Sequence, residues 1–272
     1  MKKHINYFCC FLSLILMPIR LSSFYQEIDT VIIDDNYKNL ETFELLKSKA
    51  IYDVENNNDE FDKPYILISL GCNCECAYQL SQRKLSGAFF PFDWIRTEDF
   101  NQIGIMIEQN FRDFLNKKNL VVGQRNSTTS PTRLISDTKY NMKFVHDFPW
   151  EKELEESYDS VKQKYDRRIA RFYRALLTNK PIYFFRRDLV TKAQAIKFCN
   201  VMYKKFPGLK FTLIIMHNST ECKKEWGIKN VRNFFYKSPE TKKFKWTGYY
   251  NKPWDEVLTN LDISWTENLN VN

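Results

Sequence analysis

Glycine is scarce in this chain, 7 among 272 residues, and proline little better at 9. So few glycines cannot furnish several phosphate-cradling loops. No Walker or Rossmann loop is spelled out, nor the G-x-S-x-G elbow of a serine hydrolase. Histidine is scarcer still: His4, His146 and His217 are the whole supply. A cysteine or serine hydrolase with a histidine base must therefore draw it from His146 or His217 once the first residues are set aside. No zinc-finger or RNP-type motif is present and no internal repeat is visible, so no nucleic-acid partner is expected. What is abundant is aromatic: 22 Phe, 15 Tyr and 6 Trp. With 43% hydrophobic and 27% charged residues, the composition excludes disorder and fibrous repeats and predicts a dense globular core.

The longest apolar run near the start, Phe8 to Met17, is about half the ~20 residues a bilayer span requires. Lys2 and Lys3 precede it and Ser22 and Ser23 follow. That order is basic, apolar, small, and predicts a signal peptide over residues 1–23. The expected location is secreted, periplasmic or lumenal, or membrane-anchored if the segment stays uncleaved; no integral span is expected beyond it. Charge then changes sign along the chain. Residues 24–63 carry eleven acids against four lysines and end in the polar run Asn56 to Glu60, an acidic segment and linker. Residues 64–272 carry 34 Lys or Arg against 22 acids and form the expected domain.

Tyr65 to Leu70 reads as a buried strand stopped by Gly71, followed by Asn73 as a helix cap and Cys74 in the first helical turn. Thr97 to Leu115 has helical spacing, 126–133 is polar and loop-like, and Lys143 to His146 reads as a strand end. Tyr158 to Leu177 is the clearest helix, with Val161, Tyr165, Ile169, Phe172 and Leu176 on one face. Strand 182–185, helix 191–206 and strand 211–216 make a βαβ unit, with a further strand at 231–236 and a closing helix at 253–261. The fold class is α/β, a single three-layer-like domain with a strand–Gly–helix cysteine turn and a C-terminal βαβ section.

The chemistry concentrates at the cysteine turn. A helix N-terminus stabilises thiolate and predicts that Cys74 titrates well below the reference ~8.5. The same amides suit an oxyanion. Cys72, Cys74 and Cys76 are equally readable as small core residues or disulfide partners. The C-x-C-x-C run lacks the second pair a zinc site needs, because Cys199 and Cys222 stand alone; no metal or cofactor is expected. Outside the leader five cysteines remain, so at least one thiol is free or pairs between molecules. His146 ends a strand in Phe144-Val145-His146-Asp147-Phe148, and His217 ends another. Arg168 lies on the apolar side of its helix, beside Tyr165 and Phe172, and calls for a buried carboxylate such as Asp93 or Asp147.

Four blocks occur in order: Ser69-Leu70-Gly71-Cys72-Asn73-Cys74-Glu75-Cys76-Ala77, Pro91-Phe92-Asp93-Trp94-Ile95, His146-Asp147-Phe148, and Lys164-Tyr165-Asp166-Arg167-Arg168-Ile169-Ala170-Arg171-Phe172. Together they resemble a family of mostly uncharacterised bacterial and viral proteins described as putative papain-like cysteine peptidases. That family's pattern runs S-L-G-x-x-C-x-x-A, P-F-D-W, H-D-F and K-Y-x-R-R-I-x-R-F. Trp246-Thr247-Gly248 and Trp254 look like its closing segment, so the resemblance spans roughly Tyr65 to Leu261. It implies Cys74 as nucleophile, His146 as base and Asp93 as the group orienting the imidazole, with Asp147 as the alternative. A papain-type enzyme sets its histidine on an antiparallel β domain, whereas the pattern here ends in βαβ. It also places a glutamine ahead of the cysteine. Tyr65 to Leu70 holds none, and Asn73 is the substitute.

The leading expectation is thus a cysteine hydrolase or acyltransferase acting on a peptide or small acyl substrate, with Asn73, Arg168 and Arg186 as oxyanion or binding residues. The alternative class is a non-hydrolytic α/β transferase or ligand-binding domain. There Arg167, Arg168, Arg186 and Arg187 would take an anionic phosphate, carboxylate or sugar ligand at the carboxyl ends of parallel strands.

Overall fold

The computed structural model describes residues 61–85, 89–125, 129–187, 190–219, 225–236 and 251–263. The expected signal peptide, nearly all of the acidic segment, Cys222 and the Trp246–Gly248 block lie outside them. The described residues belong to one compact unit. No helix among them is long and apolar enough to cross a membrane.

Four strands, β1 (Ile66–Ser69), β6 (Ile182–Arg187), β7 (Phe211–Asn218) and β8 (Val231–Tyr236), form a sheet in the order β1-β6-β7-β8 with every pairing parallel. β1, β6 and β7 are largely apolar because both faces of the sheet are covered there, whereas the edge strand β8 exposes Arg232. Alternate residues feed different cores. Ile66, Ile68, Phe184, Leu213 and Ile215 join one cluster; Leu67, Phe185, Ile214 and Met216 join the other. The second cluster is closed by Cys76 and Leu80 of helix α1 (Glu75–Gln82) and by Trp254, Val257 and Leu258 of the C-terminal helix, α5 (Asn251–Asn260).

The first cluster is larger, and three helices meet in it. They are α2 (Phe100–Glu108), α3 (Leu154–Leu177) and α4 (Lys192–Lys205). Helix α4 starts where Thr191 accepts from the Gln194 amide in a capping box. Helix α3 buries Val161, Tyr165, Ile169, Phe172, Tyr173 and Leu176, the stripe its sequence spacing predicts. Ile169 is 1% exposed in that cluster. Ile169→Ala should therefore cost about 3 kcal/mol, read as a lower denaturation midpoint; no loss would mean the stripe is not the packed face.

A second sheet is antiparallel, in the order β2-β5-β4-β3, from β2 (Ile95–Thr97), β3 (Leu120–Arg125), β4 (Thr132–Asp137) and β5 (Met142–Pro149). Sequence reading anticipates only part of β5. The pattern misleads because two of the three inward positions of β4, Arg133 and Asp137 either side of Ile135, are buried polar residues on the face that apolar ones usually mark. Thr97 to Leu115 is likewise not one helix. Thr97 belongs to β2, the Asp99 side chain caps Asn101 to begin α2, and left-handed residues from Asn110 to Leu115 follow its end.

Candidate active site

The cysteine turn is built by a sharp exit from β1. The Ser69 hydroxyl accepts from the Gly71 amide, and Gly71 has φ +75°, where a Cβ would come within 2.8 Å of Thr97 Oγ1. Only glycine suits both the conformation and the clearance. Cys72 follows at φ +79°, an uncommon conformation for a residue with a side chain. It is clasped in place by β2: its amide donates to Thr97 Oγ1 at 2.9 Å, and its carbonyl accepts from the Thr97 amide at 3.3 Å. Asn73 Oδ1 then accepts from the Glu75 amide at 2.9 Å and starts α1. Cys74 itself is the capping residue, one position before the helix, and its carbonyl accepts from Tyr78.

Cys74 is half-buried, whereas Cys76 and Cys199 are buried. None of these three, nor Cys72, is in a disulfide. Burial pushes the Cys199 thiol up to about 11 and the Cys76 thiol further still. The Cys74 thiol is also raised. Desolvation is the main cause, and its own backbone amide and the Arg96 charge oppose without overcoming it. The depressed thiol expected from the helix N-terminus is therefore overturned. An eight-residue helix whose first amide is already satisfied by Asn73 offers less field than burial removes. At rest Cys74 is a protonated thiol, and its use as a nucleophile requires a base.

His146 lies on β5, exposed, with its ring edge-on to Trp94 at 6.0 Å. It sits on the antiparallel sheet, four residues past Met142, the partner of Thr97, or about 13 Å along the strand. Among the described residues no hydrogen bond joins His146 to Cys74, Asp93 or Asp147. Asp147 instead accepts from Lys164 and, at 2.9 Å, from the Tyr165 hydroxyl, and so points to α3. Asp93 is 3% exposed and accepts from the Phe90 amide at 2.8 Å. Burial pushes its carboxyl up to about 7, against the opposing Phe90 amide and the charges of Arg168 and Arg171. The Arg168 charge acts on Asp93, but among the described residues no ion pair or hydrogen bond joins the two. Arg168 is itself buried, stacked over the Tyr165 and Phe89 rings, with Nη1 lacking a hydrogen bond.

His217 is buried at the end of β7. Its Nε2 is 3.0 Å from Asn233 Oδ1 and its ring stacks on Phe235 at 4.6 Å. Arg186 is wholly buried, donating to the Leu70 carbonyl at 3.0 Å and to the carbonyl and hydroxyl of Thr97. Arg187 faces the other side of the sheet, where it pairs with Glu75 and donates to the Tyr236 hydroxyl; Trp254 Nε1 also donates to Glu75. The turn thus brings together Cys72, Cys74, Thr97 and Arg186, while His146 and Asp93 stand toward the other end of β2. Sequence reading missed Thr97. The reach of the Thr97 side chain to the residue after Gly71 leaves no local pattern.

A family profile described as "Putative papain-like cysteine peptidase" matches residues 65–220. An uncharacterized protein, R408, of Acanthamoeba polyphaga mimivirus is 28% identical over 219 residues, covering 72% of this chain and 97% of the relative. No solved structure matches significantly.

Proposed function

The chain belongs to the "Putative papain-like cysteine peptidase" family, and from that premise we propose that it is a thiol hydrolase or acyltransferase with Cys74 as its nucleophile. The observation that carries the reading is the cysteine turn. The half-buried Cys74 thiol stands at the start of a helix, two residues after Cys72, whose left-handed backbone is held by Thr97 from the neighbouring sheet. Such conformations persist only where the surroundings over-determine them, and they cluster at sites that work.

His146 is the proposed base. It lies on an antiparallel strand, the disposition expected of a papain-type histidine, and it is solvent-accessible. In this structure it stands about 13 Å along β5 from the partner of Thr97, so the proposed proton transfer requires the strand and the cysteine turn to approach one another. Because the Cys74 thiol is protonated at rest, His146 takes its proton as sulfur attacks the carbonyl. It then returns the proton to the leaving group. Asn73 Nδ2 makes no hydrogen bond to another described residue, and its Oδ1 is fixed by the cap, so the amide is oriented with a donor to spare for the oxyanion. Asp93 acts on the imidazole at one remove, holding the loop that presents Trp94 to His146. The Arg168 charge acts on Asp93. The rival reading, an anion held by Arg167, Arg168, Arg186 and Arg187, is disfavoured at its last two members, which already donate to Leu70, Thr97 and Glu75.

Peptide amides and acyl thioesters offered to the full chain should give turnover and an acyl adduct on Cys74 by peptide mass spectrometry. Cys74→Ser should abolish both with the fold intact. His146→Ala should lower kcat/KM by about 10²–10⁴-fold, and His217→Ala should not. Turnover surviving Cys74→Ser would refute the mechanism; sensitivity to His217 in place of His146 would move the base.

A further inference from the structure

We infer that Arg168 is the floor of a ligand site for a carboxylate carried on an apolar group, with the Phe89 ring as its lid. The site goes beyond the reading of Cys74 as nucleophile and does not depend on it. Arg168 lies on α3 and is 9% exposed. Its guanidinium carbon stands 5.1 Å from the centre of the Tyr165 ring and 5.4 Å from that of Phe89. Tyr165 is wholly buried and Phe89 is 51% exposed. Tyr165 therefore backs the guanidinium on the core side, and Phe89 covers it from solvent.

What this cation lacks is an acceptor. Nη1 is enclosed without a hydrogen bond, and among the described residues Arg168 makes no hydrogen bond or ion pair at all. Its charge acts on Asp93, but that carboxyl is turned to the Phe90 amide at 2.8 Å, and burial keeps its proton on up to about 7. The acids nearby on α3 and β5 are committed as well, Asp166 to Lys162, and Asp147 to Lys164 and the Tyr165 hydroxyl. An enclosed charged donor without an acceptor is costly, and buried charges are otherwise paired. With no acceptor from these residues, a ligand anion completes the pairing.

The rings set its chemistry. Two rings against the guanidinium leave its edge as the approach. A planar carboxylate meets that edge through two parallel bonds, whereas the tetrahedral oxygens of a phosphate project toward the rings. The lid moves without the main chain. The Phe89 carbonyl accepts from Arg171 Nη1 at 2.8 Å and the next amide, that of Phe90, is held by Asp93, so the backbone is pinned on both sides while the ring is able to change rotamer. A ligand that reaches Arg168 lies against Phe89, which is why its body is apolar.

The test titrates the full chain at about pH 6, below the Asp93 value, by isothermal calorimetry. The probes are N-acetylphenylalanine, whose carboxylate is ionised, its neutral amide, acetate and inorganic phosphate. The acid should bind about 10–100-fold more tightly than the amide, and more tightly than phosphate. Arg168→Gln should abolish the preference for the acid and Arg168→Lys should keep part of it. Arg167→Gln, at an exposed position of the same helix, should keep nearly all of it. Phe89→Ala, which leaves the arginine in place, should weaken the acid toward the affinity of acetate. By NMR the Arg168 Nε–H signal should shift with the acid and not with the amide.

Equal binding of acid and amide, or a preference that persists in folded Arg168→Gln, overturns the inference. Phosphate binding more tightly than the acid does so too. Should Arg168→Gln fail to fold, an Arg168 signal indifferent to the acid in the wild-type chain overturns it equally. Cys74→Ser should leave the binding unchanged, so failure of the thiol hydrolase and failure of this site are separate results.

Discussion

Replacing Arg186 with alanine should destabilise the protein by about 3–5 kcal/mol, the range for removing one member of a buried charged hydrogen-bond network. Arg186 is 0% exposed at the carboxyl end of β6. From there it reaches two other elements at once, donating to the Leu70 carbonyl just past β1 at 3.0 Å and to the Thr97 carbonyl on β2 at 2.9 Å. The Phe100 ring lies under its guanidinium at 5.5 Å. Alanine would leave both carbonyls and the Thr97 hydroxyl short of a donor and a cavity over Phe100. Because Thr97 is also the residue that clasps Cys72, the damage should travel to the cysteine turn. Lysine at this position should recover only part of the loss, since a single ammonium cannot span acceptors on two strands as a fork does. Chemical denaturation should show a lower midpoint with an unchanged slope. A loss below about 1 kcal/mol would mean the two sheets are not tied here.

A second large effect should appear with pH at Asp93. In the folded protein its carboxyl keeps its proton up to about 7, while the ordinary value is 3.8. Between those limits the folded state binds the proton and the unfolded chain does not. The stability this site contributes is therefore complete below pH 3.8 and lost as pH rises through about 7. Three pH units correspond to about 4 kcal/mol. The amide introduced by Asp93→Asn would keep an oxygen for the Phe90 amide and carry no titrating proton. The difference in unfolding free energy between wild type and Asp93→Asn should thus move by about 4 kcal/mol in favour of the variant between pH 4 and pH 8. A pH-independent difference would show that Arg168 and Arg171 hold the carboxylate charged across the range.

Much of the architecture is legible in the sequence because local signals and tertiary demands coincide there. Strands β1, β6 and β7 are apolar runs ended by polar or glycine residues and feed cores on both faces of the sheet, as such runs require. Helix α3 shows its packed face by spacing alone, and α4 is announced by Thr191 and Gln194. The position of Cys74 at the start of a helix follows from Gly71 and Asn73, which have few other uses in that order.

What tertiary structure decided is how these pieces meet. The antiparallel sheet is nearly invisible in sequence because β4 turns Arg133 and Asp137 inward, where each finds partners only once the chain has folded. Asp137 accepts from the Leu115 and Tyr140 amides, and Arg133 donates to the Trp150 carbonyl. The thiol's raised pKa belongs to the same level, for a helix N-terminus can be read from residues but desolvation depends on what packs around them. Arg186 and Arg187 are adjacent in sequence, yet strand alternation sends one to Thr97 and the other to Glu75. Sequence determined which residue types stand near the cysteine. Strand order and register decided that Thr97 stands beside the turn, because hydrogen bonds between residues 25 apart, Cys72 and Thr97, have no local signature.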